Sequence, residues 1–285
     1  MPMKNSSLGH YLRLAQGLTA SFVKTPRVAA THLKNIPLRL GALDYARGTD
    51  FSPPIQPTPS NSVSSSPNPL RTYFDANTEG PGIWKWEHYF EIYHRHLAKF
   101  VGRPGHLVEI GVYSGGSLPM WRSYFGPSMQ IHGIDIEPAC ESYQDEGIDI
   151  SIGDQSDRGF WLDFRRRHPQ IDVLIDDGGH LPEQQKVTLE EMLPHLAPGG
   201  VYICEDIHQV HHQFADYVSG LCNAINEGHE DNRPGLGLRG LSRWCHSIHV
   251  YPLAVVIEKH TDEQDRLHDR RRGTEWQPFF DKARS

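Results

Sequence analysis

Two short blocks hold the residues best suited to chemistry, Asp176-Asp177-Gly178-Gly179-His180 and Glu205-Asp206-Ile207-His208. Each follows an apolar run, IDVLID (171–176) and GGVYICED (199–206). Adjacent carboxylates at the end of a buried strand cost desolvation and mutual repulsion unless a cation or a proton compensates. Oxygen donors without cysteine suit Mg²⁺, Mn²⁺ or Ca²⁺ rather than zinc. The paired glycines before His180 permit a tight turn that aims its imidazole at the same place, and an imidazole suits proton removal near neutral pH. For one acid pair, helix capping in solvent is explanation enough. Two pairs with a histidine favour metal chemistry.

A second set of residues points to a nucleoside. The stretch Glu109-Ile110-Gly111-Val112-Tyr113-Ser114-Gly115-Gly116-Ser117 follows the run HLVEIG (106–111). Glycines there let the backbone approach a ligand and expose the N–H groups of the next helix. The spacing is not GxGxxG, so the dinucleotide fingerprint fails. Asp135 ends the run QIHGID, 24 residues past Gly111. A carboxylate at that place can accept hydrogen bonds from two ribose hydroxyls. Capping the turn before Pro138 is its alternative role. Asp154 and Gln155 follow a third run, IDISIG (148–153). Contact with an adenine amino group and plain helix capping weigh about equally for them.

These blocks need elements to position them. Apolar spacing predicts a helix over 84–100, followed by short strands alternating with helices: strand 106–111, helix 117–125, strand 130–135, a short helix after Pro138 and strand 148–153. Helix 156–168 opens on an N-cap serine; strand 171–176, helix 182–196, strand 199–206 and helix 209–226 follow. Residues 227–242 read as a Gly-rich loop, and 244–260 as an antiparallel hairpin at one sheet edge. Such alternation builds a mostly parallel α/β sheet with helices on both faces. Ligands then bind at the carboxyl ends of the strands, where both acid pairs fall.

Composition bounds the rest. The chain has 285 residues, a net charge of -7 and 38% hydrophobic residues, low for a chain packed throughout. Residues 1–50 are a basic extension of net charge +5, which leaves -12 on the remainder and argues against nucleic acid as a partner. That start resembles an organellar transit peptide or a membrane-surface arm, and a weakly ordered extension is the preferred reading. Residues 51–81 are expected to be a linker, dense in Pro and Ser over 51–70. The packed domain is expected over 82–260 and a charged tail over 261–285. No apolar run is long enough to span a bilayer. Four cysteines without a CxxC pair fit a reducing, cytoplasmic setting rather than a disulfide scaffold.

Together, VEIGVYSGGS, IHGIDIEP, IGDQSD, VLIDDGGH and PGGVYICEDIH resemble the class I S-adenosylmethionine-dependent methyltransferases. They resemble most the metal-dependent O-methyltransferases that act on sugars of macrolide and polyketide antibiotics, with the cephalosporin-hydroxylase-like group as a near relative. The resemblance covers about 82–210 well and 244–260 loosely. Its most specific part is DDGGH with ED following, 28 residues from Asp177 to Glu205. It implies a Rossmann-like, doubly wound sheet of seven strands. It implies that Glu109, Gly111 and Ser117 line the methionine part of S-adenosyl-L-methionine, that Asp135 binds the ribose, and that Asp154 and Gln155 hold the adenine, with Asp176 close to the cofactor. Asp177, Glu205 and Asp206 would bind Mg²⁺, with Mn²⁺ as a substitute, and His180 would be the general base. The family often has Ser where this chain has Gly179. The implied acceptor is a hydroxyl of a small glycoside or polyol. A catechol-type acceptor, a non-catalytic membrane-associated role, membrane-surface contact by 1–50, and a homo-oligomer all stay open.

Overall fold

A computed structural model describes residues 67–208, 213–231 and 233–274. The expectations for 1–66 and for the end of the tail, 275–285, lie outside the described residues. Seven strands form the main sheet: β1 (Gly105–Ile110), β2 (Met129–Asp135), β3 (Ile148–Ile152), β4 (Ile171–Asp176), β5 (Leu196–Cys204), β8 (Cys245–Tyr251) and β9 (Ala254–Lys259). Their order is β3-β2-β1-β4-β5-β9-β8. The first five are parallel, and β9 and β8 close one edge as an antiparallel hairpin, as expected. Strand order reverses between β1 and β4, so a crevice opens at their carboxyl ends. The register sets Ile110 beside Asp176 and Asp176 beside Cys204, which brings the residues after each strand to one rim.

The helices follow from which strand residues face which way. Alternate side chains point to opposite faces. Leu107, Val173, Ile175, Val201 and Ile203 pack in one cluster, whereas Val108, Leu174 and Tyr202 pack in the other. The first cluster is covered by α1 (Pro69–Ala76), α2 (Tyr89–Leu97) and α3 (Ser117–Phe125), through Leu70, Phe90, Tyr93, Trp121 and Phe125. The second is covered by α4 (Arg158–Arg167), α5 (Pro182–Met192) and α6 (Gln213–Ala224), through Trp161, Phe164, Leu189, Phe214 and Val218.

Four expectations need correction. The helix expected over 84–100 begins only at Tyr89; Trp84 to His88 precede it without helical structure. Their aromatic spacing imitates a buried stripe, yet Trp84 is 84% exposed. Helix α4 is capped by Asp157, whose side chain accepts from Gly159 N, and not by the serine. The stretch read as linker contains α1, capped by Asn68 and anchored by buried Leu70. Finally, the loop 227–242 and the tail contribute a small antiparallel sheet of β6 (Gly228–His229), β7 (Leu236–Leu238) and β10 (Arg266–Leu267). Among the described residues, no helix is long and apolar enough to cross a membrane.

Candidate functional site

At the crevice lies a cavity of about 630 Å³ whose wall includes Gly111, Ser117, Asp135, Asp154, Gln155, Asp177, His180, Glu205 and Asp206. The loops around it pass very close to one another. Gly111 has φ +90°, and a Cβ on it would meet Asp177 O at 2.0 Å. Only glycine lets the β1 loop lie against the β4 loop at this point. Tyr113, His180, Asp206 and Leu253 are the non-glycine residues with left-handed φ among the described residues, and all four belong to this rim or its immediate support. Backbone strain of that kind gathers where surrounding structure holds a side chain in a required direction.

The carboxylates are held by donors from the segment that precedes and begins α2. Lys85 Nζ lies 2.6 Å from Asp177 Oδ2 and 3.1 Å from Glu205 Oε2. Tyr93 OH donates to Glu205 Oε1 at 2.6 Å. Trp86 Nε1 and Tyr89 OH each donate to Asp206 Oδ1 at 2.9 Å. The other Asp206 oxygen faces two imidazoles, His180 Nδ1 and His208 Nε2, both at 3.6 Å. His180 Nε2 is 3.4 Å from Asp177 Oδ1. His180 thus sits between two carboxylates, and Asp177 first, then Asp206, raise its pKa to about 8 against the opposing effect of burial.

The counter-charge that sequence reasoning found wanting is therefore partly in the chain. Burial opposes the charge on Lys85, but Glu205, Asp177 and Glu109 outweigh it and hold the ammonium well above its ordinary pKa. Burial pushes Glu205 up despite Lys85, whereas the less buried Asp177 is drawn down by Lys85 and His180 despite desolvation. Lys85 supplies one positive charge to Asp177, Glu205 and Glu109, and burial favours the neutral form of the two glutamates. The hard oxygens of Asp177, Glu205 and Asp206 fit Mg²⁺ or Mn²⁺ in chemistry. Donor atoms of His180, Asp206 and His208 lie within 4.8 Å of one another, so the more open side of Asp206 is also arranged for a cation.

The remaining expected residues divide. Asp135 lines the cavity, with Oδ2 accepting from Tyr113 N and Oδ1 from Glu137 N, so both oxygens also fix its loops. Ser117 lines it too, and its hydroxyl donates to Glu109 at 2.6 Å. Asp154 accepts from Ser156 N and Oγ, bonds that fix the turn ahead of α4 without capping the helix. Gln155 is committed elsewhere: its amide donates to Asp176 and Thr188 and its carbonyl accepts from Gly179 N. It buttresses the turn that presents His180, which leaves no free amide for a base. Glu109 and Asp176 are buried behind the wall. Burial raises Asp176 to about 6, against hydrogen bonds from Gln155 and Tyr202. Lys85 escaped the sequence reading. Tyr89 and Tyr93 stood out there only as part of an aromatic stripe, and His208 only as a member of the second acid block, without the roles they have here.

Residues 108–207 match a family described as a methyltransferase domain. Mycinamicin VI 2''-O-methyltransferase of Micromonospora griseorubida is 37% identical over 194 residues, 60% of this chain and 48% of that protein. Demethylmacrocin O-methyltransferase of Streptomyces fradiae is 33% identical over 132 residues, 44% of this chain and 33% of that protein. The MycE methyltransferase of mycinamycin biosynthesis, solved in complex with Mg and SAH, superimposes with a TM-score of 0.57 at 27% identity, over 70% of this chain and 57% of that one. The chain spans between a third and about half of the length of these curated relatives.

Proposed function

We propose that this chain, whose residues 108–207 match a methyltransferase-domain family, moves a methyl group from S-adenosyl-L-methionine to a hydroxyl of a sugar or glycosylated small molecule, with Mg²⁺ as its metal. We place the catalytic unit from α1 through β10, beyond the 82–260 expected from sequence. The observation that carries the reading is the meeting of His180, Asp177 and Asp206 on the wall of a cavity whose other wall is the glycine loop and Asp135. The names of further curated relatives, O-methyltransferases of rhamnosyl tetracenomycin-C and of L-olivosyl-oleandolide, support the choice of acceptor.

The donor supplies a methyl on positively charged sulfur, and a divalent ion supplies the charge that makes an alcohol easier to deprotonate. The chain's residues do the rest. Gly111, Ser117 and Asp135 shape and polarise the cofactor end of the cavity. Asp177, Glu205 and Asp206 offer the oxygens for the ion. His180, fixed between Asp177 and Asp206, takes the acceptor proton as the new O–C bond forms and the S–C bond breaks. Tyr113 and Ile136 are exposed large hydrophobic residues along the same cavity. Aromatic faces of this kind bury the apolar side of a sugar or its aglycone.

The test is methyl transfer from isotopically labelled S-adenosylmethionine to a panel of rhamnosylated and other deoxysugar-bearing polyketides, with catechol as the competing acceptor. The expected outcome is labelled methyl ether on a sugar, lost on chelation and restored by Mg²⁺. Transfer to catechol alone, or full turnover in excess chelator, would overturn the acceptor or the metal respectively.

A further inference from the structure

Lys85 stands where an ion would have to bind. Its ammonium lies 2.6 Å from Asp177 Oδ2, 3.1 Å from Glu205 Oε2 and 3.6 Å from Glu109 Oε1, and its side chain is 3% exposed. The second Glu205 oxygen is taken by Tyr93 OH, so Glu205 offers no unengaged oxygen to a metal. Asp206 Oδ1 is likewise taken, by Trp86 and Tyr89. Each proposed metal ligand is therefore bound by a donor from residues 85–93.

A divalent ion on Asp177 Oδ2 and Glu205 Oε2, at the roughly 2 Å of a Mg²⁺–oxygen bond, would sit against the ammonium. Two like charges that close inside a buried pocket repel strongly. Both cannot use the same two oxygens. A doubly charged occupant offsets more of the field of Asp177, Glu205 and Glu109 than one ammonium can.

Residues 79–86 belong to no helix or strand. Besides the Lys85 ion pairs, residues 82–86 are tied to the domain by a backbone bond from Gly116 N to Gly82 O, at 3.2 Å, by Trp86 O accepting from Tyr89 N at 3.0 Å, by the Trp86 indole on Asp206, and by Ile83, which packs against the first cluster. Trp84 is exposed and Trp86 half-exposed, so the apolar burial that opposes their displacement is that of Ile83 and one side of Trp86.

We propose that Lys85 is a tethered counter-ion. In the metal-free protein it occupies the metal subsite and keeps the buried acids paired, and when a divalent ion takes Asp177, Glu205 and Asp206 the segment 82–86 withdraws. This rests on the metal-dependent reading above. Lys85 is then a positioning residue that lowers metal affinity by what it costs to expel it. It also couples metal entry to the opening of the cavity edge that Trp84 and Trp86 cover.

The experiment uses the full chain. Mg²⁺ and Mn²⁺ are titrated calorimetrically into the parent protein and into Lys85→Met, which keeps the length of the side chain without its charge. The expected result is binding about tenfold tighter in the variant. Weaker binding in Lys85→Met would make the lysine a lasting partner of the ion and overturn the proposal. Should that variant fail to fold, the parent protein still decides. Acetylation of Lys85, followed by mass spectrometry against half-exposed Lys99 and Lys186, should accelerate about tenfold on saturation with Mg²⁺. Metal binding that leaves Lys85 protected overturns the tethered counter-ion while sparing the metal-dependent reading. No heat from either metal overturns that reading and this proposal together.

Discussion

Helix α2 touches two histidine–carboxylate clusters, one near each end. At its first turns Tyr89 and Tyr93 hold Asp206 and Glu205 beside His180 and His208. At its last turn, seven residues or about 10 Å further along the axis, His96 packs against Glu258, Tyr251 and His249. Donor atoms of His96, His249 and Glu258 are also grouped closely enough for a metal ion. Yet the two clusters differ in how their bonds are met. His96 Nδ1 is 2.5 Å from Glu258 Oε1, its Nε2 is 2.9 Å from Tyr251 OH, and Lys99 takes the other Glu258 oxygen at 2.8 Å. Those partners satisfy one another on regular helix and strand. The first cluster has left-handed backbone at His180 and Asp206, longer contacts to both imidazoles, and a cavity in front of it. Residue type groups the two; unmet charge, strained backbone and open space separate them.

Substitution of one histidine in each cluster is the sharpest way to break this comparison. His180→Ala is expected to lower kcat by about 10²–10⁴-fold, the usual worth of a positioned acid–base group. Its affinity for S-adenosylhomocysteine should stay within about threefold by calorimetry. Turnover near the parent value would move the base elsewhere. His96→Ala should do the reverse. Losing one partner of a buried, charge-assisted pair costs about 2–3 kcal/mol of stability, read as a fall in denaturation midpoint, with kcat of the folded fraction unchanged.

Acid supplies a weaker perturbation, which reaches the second cluster through Glu258. His96, and then Lys99, hold the Glu258 carboxyl down to about 2 against the opposing effect of burial. A folded-state value below the ordinary 4.5 means stabilisation that is complete above pH 4.5 and fades as pH falls towards 2. Because Glu258 is partly solvated, the amount is about 1–2 kcal/mol after screening. Glu258→Gln should flatten the stability profile between those values; an unchanged profile would show that the pair contributes nothing. The smallest effect is expected for His249→Gln. The ring is partly exposed, bonds to Ser247 at 3.0 Å and lies 4.0 Å from Glu258. Its loss should cost less than about 0.5 kcal/mol in urea titration. A larger cost, or a metal-dependent one, would mean that the second cluster is not merely structural.

Much of this was legible because it is local. Short apolar runs gave the five parallel strands and the edge hairpin to within a few residues, since side chains alternate along a strand wherever it lies. The rule that ligands meet open α/β sheets at strand carboxyl ends then put Asp135, Asp177, His180, Glu205 and Asp206 on one rim. Contacts between distant parts of the chain left no such trace. Lys85 reaches Asp177 across 92 residues and Glu205 across 120, and nothing near Lys85 in the sequence marks it as buried. The aromatic spacing of WKWEHYFEIY read through it as one helix. Gln155 likewise looks like a ligand contact until Gly179 and Asp176 arrive to use its amide. Sequence by itself determined which carboxylates share an edge, because strand register follows from patterns a few residues long. Only tertiary structure decided what neutralises them, because a buried charge is matched by whatever packs against it, however far away it lies along the chain.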